Sequence, residues 1–138
     1  MAFEVSGINH FGLSVANLDE SIHFYTEILG LKISEKREHD CFFSIGKGSV
    51  FALLQFPGGK QKFDSEIKPT RKGKAFTHFG FAAPSVKDVF ELQELLEEKN
   101  IEITKKAYER WDGASVYFTD PNGYTIEFIY FDPAAHAK

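Results

Sequence analysis

Three side chains of this sequence have the types and settings that would let them meet on one ion. His10 and His78 each stand before a Phe-Gly pair in an apolar run, and Glu127 interrupts Thr125-Ile126-Glu127-Phe128-Ile129. Imidazole and carboxylate are ligands that many divalent metals accept, and two histidines with one carboxylate leave coordination positions open for water or substrate. Period-two alternation gives Thr125, Glu127 and Ile129 one face of a strand and Ile126 and Phe128 the other. A carboxylate among such neighbours is costly to bury unpaired, and a metal would compensate it. Taken singly, a histidine in an apolar strand is more often a hydrogen-bonded core residue, and a lone glutamate is usually solvated. The matched setting of the two histidines favours ligation. The other histidines look ordinary: His23 shares a helix with Glu27, His39 sits in a charged turn and His136 lies in a tail.

The elements that must position these residues occur twice. INHFGLSVANLDESI from Ile8 aligns with FTHFGFAAPSVKDVF from Phe76 at an offset of 68 residues, which superposes His10 on His78 and Gly12 on Gly80. Each copy opens on a strand-like run, Ile8 to Val15 and Phe76 to Ala82, and then meets a helix cap, Asn17 or Ser85. Leu18, Ile22, Tyr25 and Leu29 recur at helical spacing up to Gly30, as do Val86, Val89, Leu92 and Leu96 up to Asn100. Three short strands follow each helix: Leu31 to Lys36, Cys41 to Ile45 and Ser49 to Phe56, then Ile101 to Lys105, Ala114 to Thr119 and Tyr124 to Phe131.

The last strands align at an offset of 75, Gly48 on Gly123, so the second copy carries seven more residues. The expected place for them is a loop from Lys106 to Gly113, holding Tyr108, Arg110 and Trp111. Specificity tends to reside in such loops. The sequence thus predicts an α+β chain, one domain over 1–138, with module one at 5–57, a linker at 58–74 and module two at 75–132. The linker has two glycines, Pro69 and many charges.

Bulk composition narrows the partners. Sixteen Lys plus Arg against twenty Asp plus Glu give a formal charge of -4, the wrong sign for a general nucleic-acid binder. The one cysteine, Cys41, rules out an intrachain disulfide. No run approaches the roughly 20 apolar residues that span a bilayer, and the first residues lack a secretory pattern. A cytoplasmic location without membrane attachment is expected. Fifteen phenylalanines supply either a large core or an aromatic-lined cavity.

NHFGLSVANLDESIHFYTEILGLK from Asn9, THFGFAAPSVKDV from Thr77 and GASVYFTDPNGYTIEF from Gly113 together resemble the vicinal oxygen chelate superfamily. That superfamily contains glyoxalase I, extradiol dioxygenases, fosfomycin-resistance proteins and bleomycin-resistance proteins. The resemblance covers nearly the whole chain. It implies two tandem βαβββ modules in a cupped mixed sheet, one divalent ion (Mn, Fe, Ni, Co or Zn), and His10, His78 and Glu127 as its ligands. It further implies a homodimer, in which His10 could come from one subunit and His78 with Glu127 from the other.

Departures from the branches shape the reaction expected. Ala52 stands where glyoxalase I carries a fourth ligand, and Gln55 has the wrong strand parity to replace it. GASVYFTDPNGYTIEF looks most like the fosfomycin-resistance branch, yet Gly12 occupies the position that carries threonine or cysteine in its thiol-transferring members. The chain also ends soon after Glu127, where those enzymes continue with a basic segment. Extradiol dioxygenases share Tyr117, Asp120-Pro121, Gly123 and Glu127 but have a histidine where this chain has Tyr108, Glu109 and Arg110. The expectation is a metal-dependent lyase, epoxide-opening transferase or dioxygenase acting on a small oxygenated metabolite or antibiotic. Arg110, Trp111 and Tyr117 are the expected substrate contacts. The alternative is a drug-sequestering protein without chemistry, whose relatives usually lack the ligands.

Overall fold

In the computed structural model, which describes residues 3–69 and 78–135, the chain divides after Ile67 into two units. The first contains β1 (His10–Val15), α1 (Leu18–Glu27), β2 (Lys32–Lys36), β3 (Asp40–Ser44), β4 (Val50–Gln55) and α2 (Gly59–Glu66). Its sheet has the order β1-β4-β3-β2, with β1 parallel to β4 and the other pairs antiparallel. Asn17 starts α1 as expected, its Oδ1 accepting from the Glu20 N–H at 2.9 Å. Gly30 ends it at φ +66, where the Leu31 N–H returns to the Tyr25 carbonyl at 3.0 Å.

Alternation decides which face of this sheet is covered. Val15, Cys41, Phe43, Phe51 and Leu53 are fully buried on the side that meets Leu18, Phe24 and Tyr25 of α1. The Tyr25 ring lies 4.9 Å from that of Phe51 and 6.2 Å from that of Phe43. Each large side chain buried in this way contributes about 1.5–3 kcal/mol. His10, Gly12 and Ala52 belong to the opposite face.

The second unit repeats the plan with β5 (Phe79–Ala82), α3 (Val86–Glu98), β6 (Ile103–Arg110), β7 (Gly113–Thr119) and β8 (Thr125–Phe131). Its strand order, β5-β8-β7-β6, and its parallel β5–β8 pair match the first unit. Ser85 caps α3 by accepting from the Asp88 N–H at 3.2 Å, and Asn100 takes φ +56 at the stop. Val89, Leu92 and Leu96 of α3 cover the face that carries Val116, Phe118 and Ile126. The registers agree with the offsets read in the sequence, since Gly12 faces Ala52 as Gly80 faces Glu127. The chain is therefore α+β, built of two four-stranded mixed sheets with their helices.

Two local expectations change. The predicted loop from Lys106 to Gly113 is mostly strand: β6 continues to Arg110, which pairs with Gly113, leaving Trp111 and Asp112 as the turn. The extra residues lengthen this hairpin and enter register shifts between Ile103 and Lys105 and between Lys105 and Tyr108. Bulges of this kind absorb residues while most backbone groups stay paired. The segment predicted as a linker contains α2, which packs Phe63 beneath Phe56 at 5.7 Å. Residues 70–74 of that segment, the start of the strand predicted from Phe76, and His136 lie outside the described residues.

Candidate metal centre

On the face of the second sheet that α3 leaves uncovered, side chains from every strand or its edge converge. His78 immediately precedes β5. Glu127 sits on β8 between Gly80 of β5 and Tyr117 of β7, in the register that puts all three on one face. Gly80 keeps the approach open, because a Cβ there would meet the Glu127 carbonyl oxygen at 3.1 Å and the Glu127 Cβ at 3.7 Å.

His78 Nε2 lies 2.9 Å from Glu127 Oε1, with 33% of the histidine and 11% of the glutamate side chain exposed. The Glu127 carboxylate is thus mostly buried yet reaches a half-open imidazole. Its other oxygen, Oε2, accepts from the Ser115 hydroxyl at 2.7 Å. Ser115 in turn accepts from Arg110 Nη1 at 2.6 Å, and Arg110 Nε donates to Asp112 Oδ1 at 2.8 Å. Burial works against the Arg110 charge, but Asp112 and Tyr108 outweigh it and raise its pKa. Arg110 Nη2 is buried and has no hydrogen-bond partner among the described residues.

Tyr117 completes the cluster. Its ring stands edge-on to His78 at a centroid distance of 5.2 Å. Burial and the Glu127 carboxylate push its phenol up to about 12, so it remains a protonated donor at neutral pH. Trp111, at the tip of the hairpin, is 77% exposed.

The donor set suits a divalent cation. One imidazole nitrogen and one carboxylate oxygen already stand together, and the opposite carboxylate oxygen is hydrogen-bonded, as ligating carboxylates are. In its own unit His10 is exposed at the repeat-equivalent position, with Nδ1 at 2.7 Å from Asn9 Oδ1. Among the described residues no group of three His, Cys, Asp or Glu side chains is gathered as a complete metal site. Gln55 is committed elsewhere: Oε1 accepts from the Leu18 N–H at 2.9 Å, while Nε2 donates to the Ala16 carbonyl at 2.8 Å.

Sequence reasoning singled out His78, Glu127, Tyr117 and Arg110 but passed over Ser115 and Asp112. A signal for Ser115 was available, since it lies two residues before Tyr117 and so shares its strand face. Asp112 carried none, because it appeared to belong to a loop.

The family described as Glyoxalase/Bleomycin resistance protein/Dioxygenase superfamily matches residues 7–128. The chain is 34% identical over 124 residues to the metallothiol transferase FosB of Staphylococcus haemolyticus, covering 89% of this chain and 82% of that protein. It is 27% identical over 123 residues to the glutathione transferase FosA of Serratia marcescens, covering 89% and 79%. A glyoxylase/bleomycin resistance protein/dioxygenase domain from Frankia sp. EAN1pec superposes with a TM-score of 0.74 at 25% identity, covering 93% of this chain and 99% of that one. A match of this extent, together with relatives aligned over most of their length, places the chain in the Glyoxalase/Bleomycin resistance protein/Dioxygenase superfamily.

Proposed function

We infer that this protein is a metal-dependent enzyme that binds a small oxygenated substrate and transfers a group to it, with a thiol as the first co-substrate to test. The observation that carries the reading is the His78–Glu127 pair, 2.9 Å apart on the face of the sheet opposite the one that α3 packs against. His10, its counterpart in the repeat, is the third ligand of the proposal. A divalent ion held by these three would act as a Lewis acid toward a substrate oxygen. Two relatives, a metallothiol transferase and a glutathione transferase, support thiol transfer over isomerisation. Ala52 supports it too, since a fourth carboxylate ligand is missing from the place equivalent to Glu127.

The chain's own groups have separable tasks in this reading. Glu127 and the two histidines bind, Tyr117 donates its phenolic proton toward an oxygen in the cluster, and Trp111 borders the substrate. Arg110 is proposed to favour an anionic substituent through its positive charge, since its remaining nitrogen, Nη2, is buried.

Metal analysis and a short activity panel test this. The protein should take up about one divalent ion per chain, and the loaded protein should consume fosfomycin with a thiol. Glu127→Gln keeps the shape but removes the charge, and should weaken metal binding by roughly 100-fold while the protein stays folded. Failure of wild type to bind manganese, iron, nickel, cobalt or zinc would sink the reading. Robust turnover of a methylglyoxal hemithioacetal would move the chain to glyoxalase chemistry. Drug binding unaffected by chelators would favour sequestration instead.

A further inference from the structure

Behind Glu127 lies a second line of side chains that the proposed ligand set does not use. Ser115 is fully buried, Asp112 is 6% exposed, and both connect through Arg110. Guanidinium groups only donate hydrogen bonds. The contact from Arg110 Nη1 therefore occupies a Ser115 lone pair and leaves the hydroxyl proton for Glu127 Oε2, where the 2.7 Å distance places it. Asp112 fixes the guanidinium at Nε, so Arg110 points one nitrogen at Ser115 and not at solvent.

We propose that Arg110 and Ser115 are positioning residues for Glu127: together they hold Oε2 from behind and present Oε1 beside His78 for the cation. This inference rests on the metal-binding reading above. It gives Arg110 a principal duty that faces inward, toward a carboxylate it does not touch. The rotamer of Glu127 is then set before any ion arrives, which spares the ion the cost of ordering it. Lysine cannot substitute, because a single ammonium on a flexible stem does not span Asp112 and Ser115 as the planar fork does.

Zinc and manganese affinities, measured by chelator competition on purified Ser115→Ala, Arg110→Lys and the double variant, test the series arrangement. Each single change should weaken binding by about 10- to 100-fold, as for other groups that orient metal ligands. The double variant should lose little more than the worse single one, because both act through one hydrogen bond. Circular dichroism checks the fold, and Arg110→Lys keeps a positive charge near Asp112, so the acid is not left without a counter-charge. Folded variants that bind within about twofold of wild type, or a double variant whose losses multiply, would overturn the proposal. A second readout needs no metal: in crystals of the metal-free Ser115→Ala protein, Glu127 should leave its rotamer or spread over several. If wild type binds no metal, the functional reading falls, and this crystal readout still decides the relay. A Glu127 that stays in place without Ser115 refutes it.

Discussion

Tyr117 shows how strongly one residue registers its surroundings. Its phenol rises from the usual 10.0 to about 12, first because it is buried and then because the Glu127 carboxylate opposes a second negative charge nearby. Unfolded, it would lose its proton near 10; folded and metal-free, near 12. Between those values the native state binds more protons, so stability is whole below about pH 10 and falls as pH rises toward 12. An ultraviolet titration of metal-free protein should include a late phenol step near 12, and Tyr117→Phe should remove it. An unchanged titration in Tyr117→Phe would refute the assignment. The neighbours that cause the shift were partly legible in the sequence. Strand parity predicts that Glu127 and Ile129 share a face, but pairing partners on other strands come only from register. That is why the line from Arg110 through Ser115 to Glu127, which crosses from β6 to β8, is legible only in the structure.

Among the elements, the β6–β7 hairpin depends on Gly113 more than on any other position. Gly113 has φ +152, and a Cβ built there would stand 1.7 Å from the Tyr130 carbonyl oxygen, a backbone atom with nowhere to go. Gly113→Ala should destabilise the protein by at least about 3 kcal/mol, since both strain and overlap oppose it. Ser85→Ala, which removes only the α3 cap, should cost about 1 kcal/mol. Denaturant melts of the two variants measure the contrast, and equal losses would show that the hairpin can yield. The caps and alternating runs of both sheets were readable because Asn17, Ser85, Gly30 and Asn100 perform local tasks that their types advertise. The length of β6 was hidden. ITKKAYER carries lysines along the sheet edge, where charge discourages pairing with another chain, so it has the composition of a loop. α2 was hidden for a related reason, since Phe63 is its one buried residue.

At the scale of the whole molecule, the question is which copies of the chain complete one site. The family resemblance implies a homodimer, in which His10 could come from one subunit and His78 with Glu127 from its partner. Mixing His10→Ala and His78→Ala proteins after reversible dissociation discriminates. Statistical exchange makes half of the dimers mixed, and one of the two sites in each mixed dimer would then carry all its ligands, so roughly one site in four should bind metal. Recovery of none, from a mixture shown to have exchanged, would assign all three ligands to a single chain. Bound metal should also raise the melting temperature, with the added stability growing as the logarithm of its concentration and reaching about 2.7 kcal/mol at 100 times its Kd.

The shared register of Gly12 with Ala52 and of Gly80 with Glu127 also carries a historical consequence. Copying gave the chain two strand pairs of the same design, each with a glycine facing the position where a longer side chain could stand. Only one copy holds a carboxylate there. Ala52 has no such duty in the proposed site, so a saturation library should show unequal tolerance: residue 52 should accept other small side chains that residue 127 rejects under selection for metal uptake. Such unequal tolerance at sites of common descent would mark which half of the duplication kept the chemistry and which became its frame.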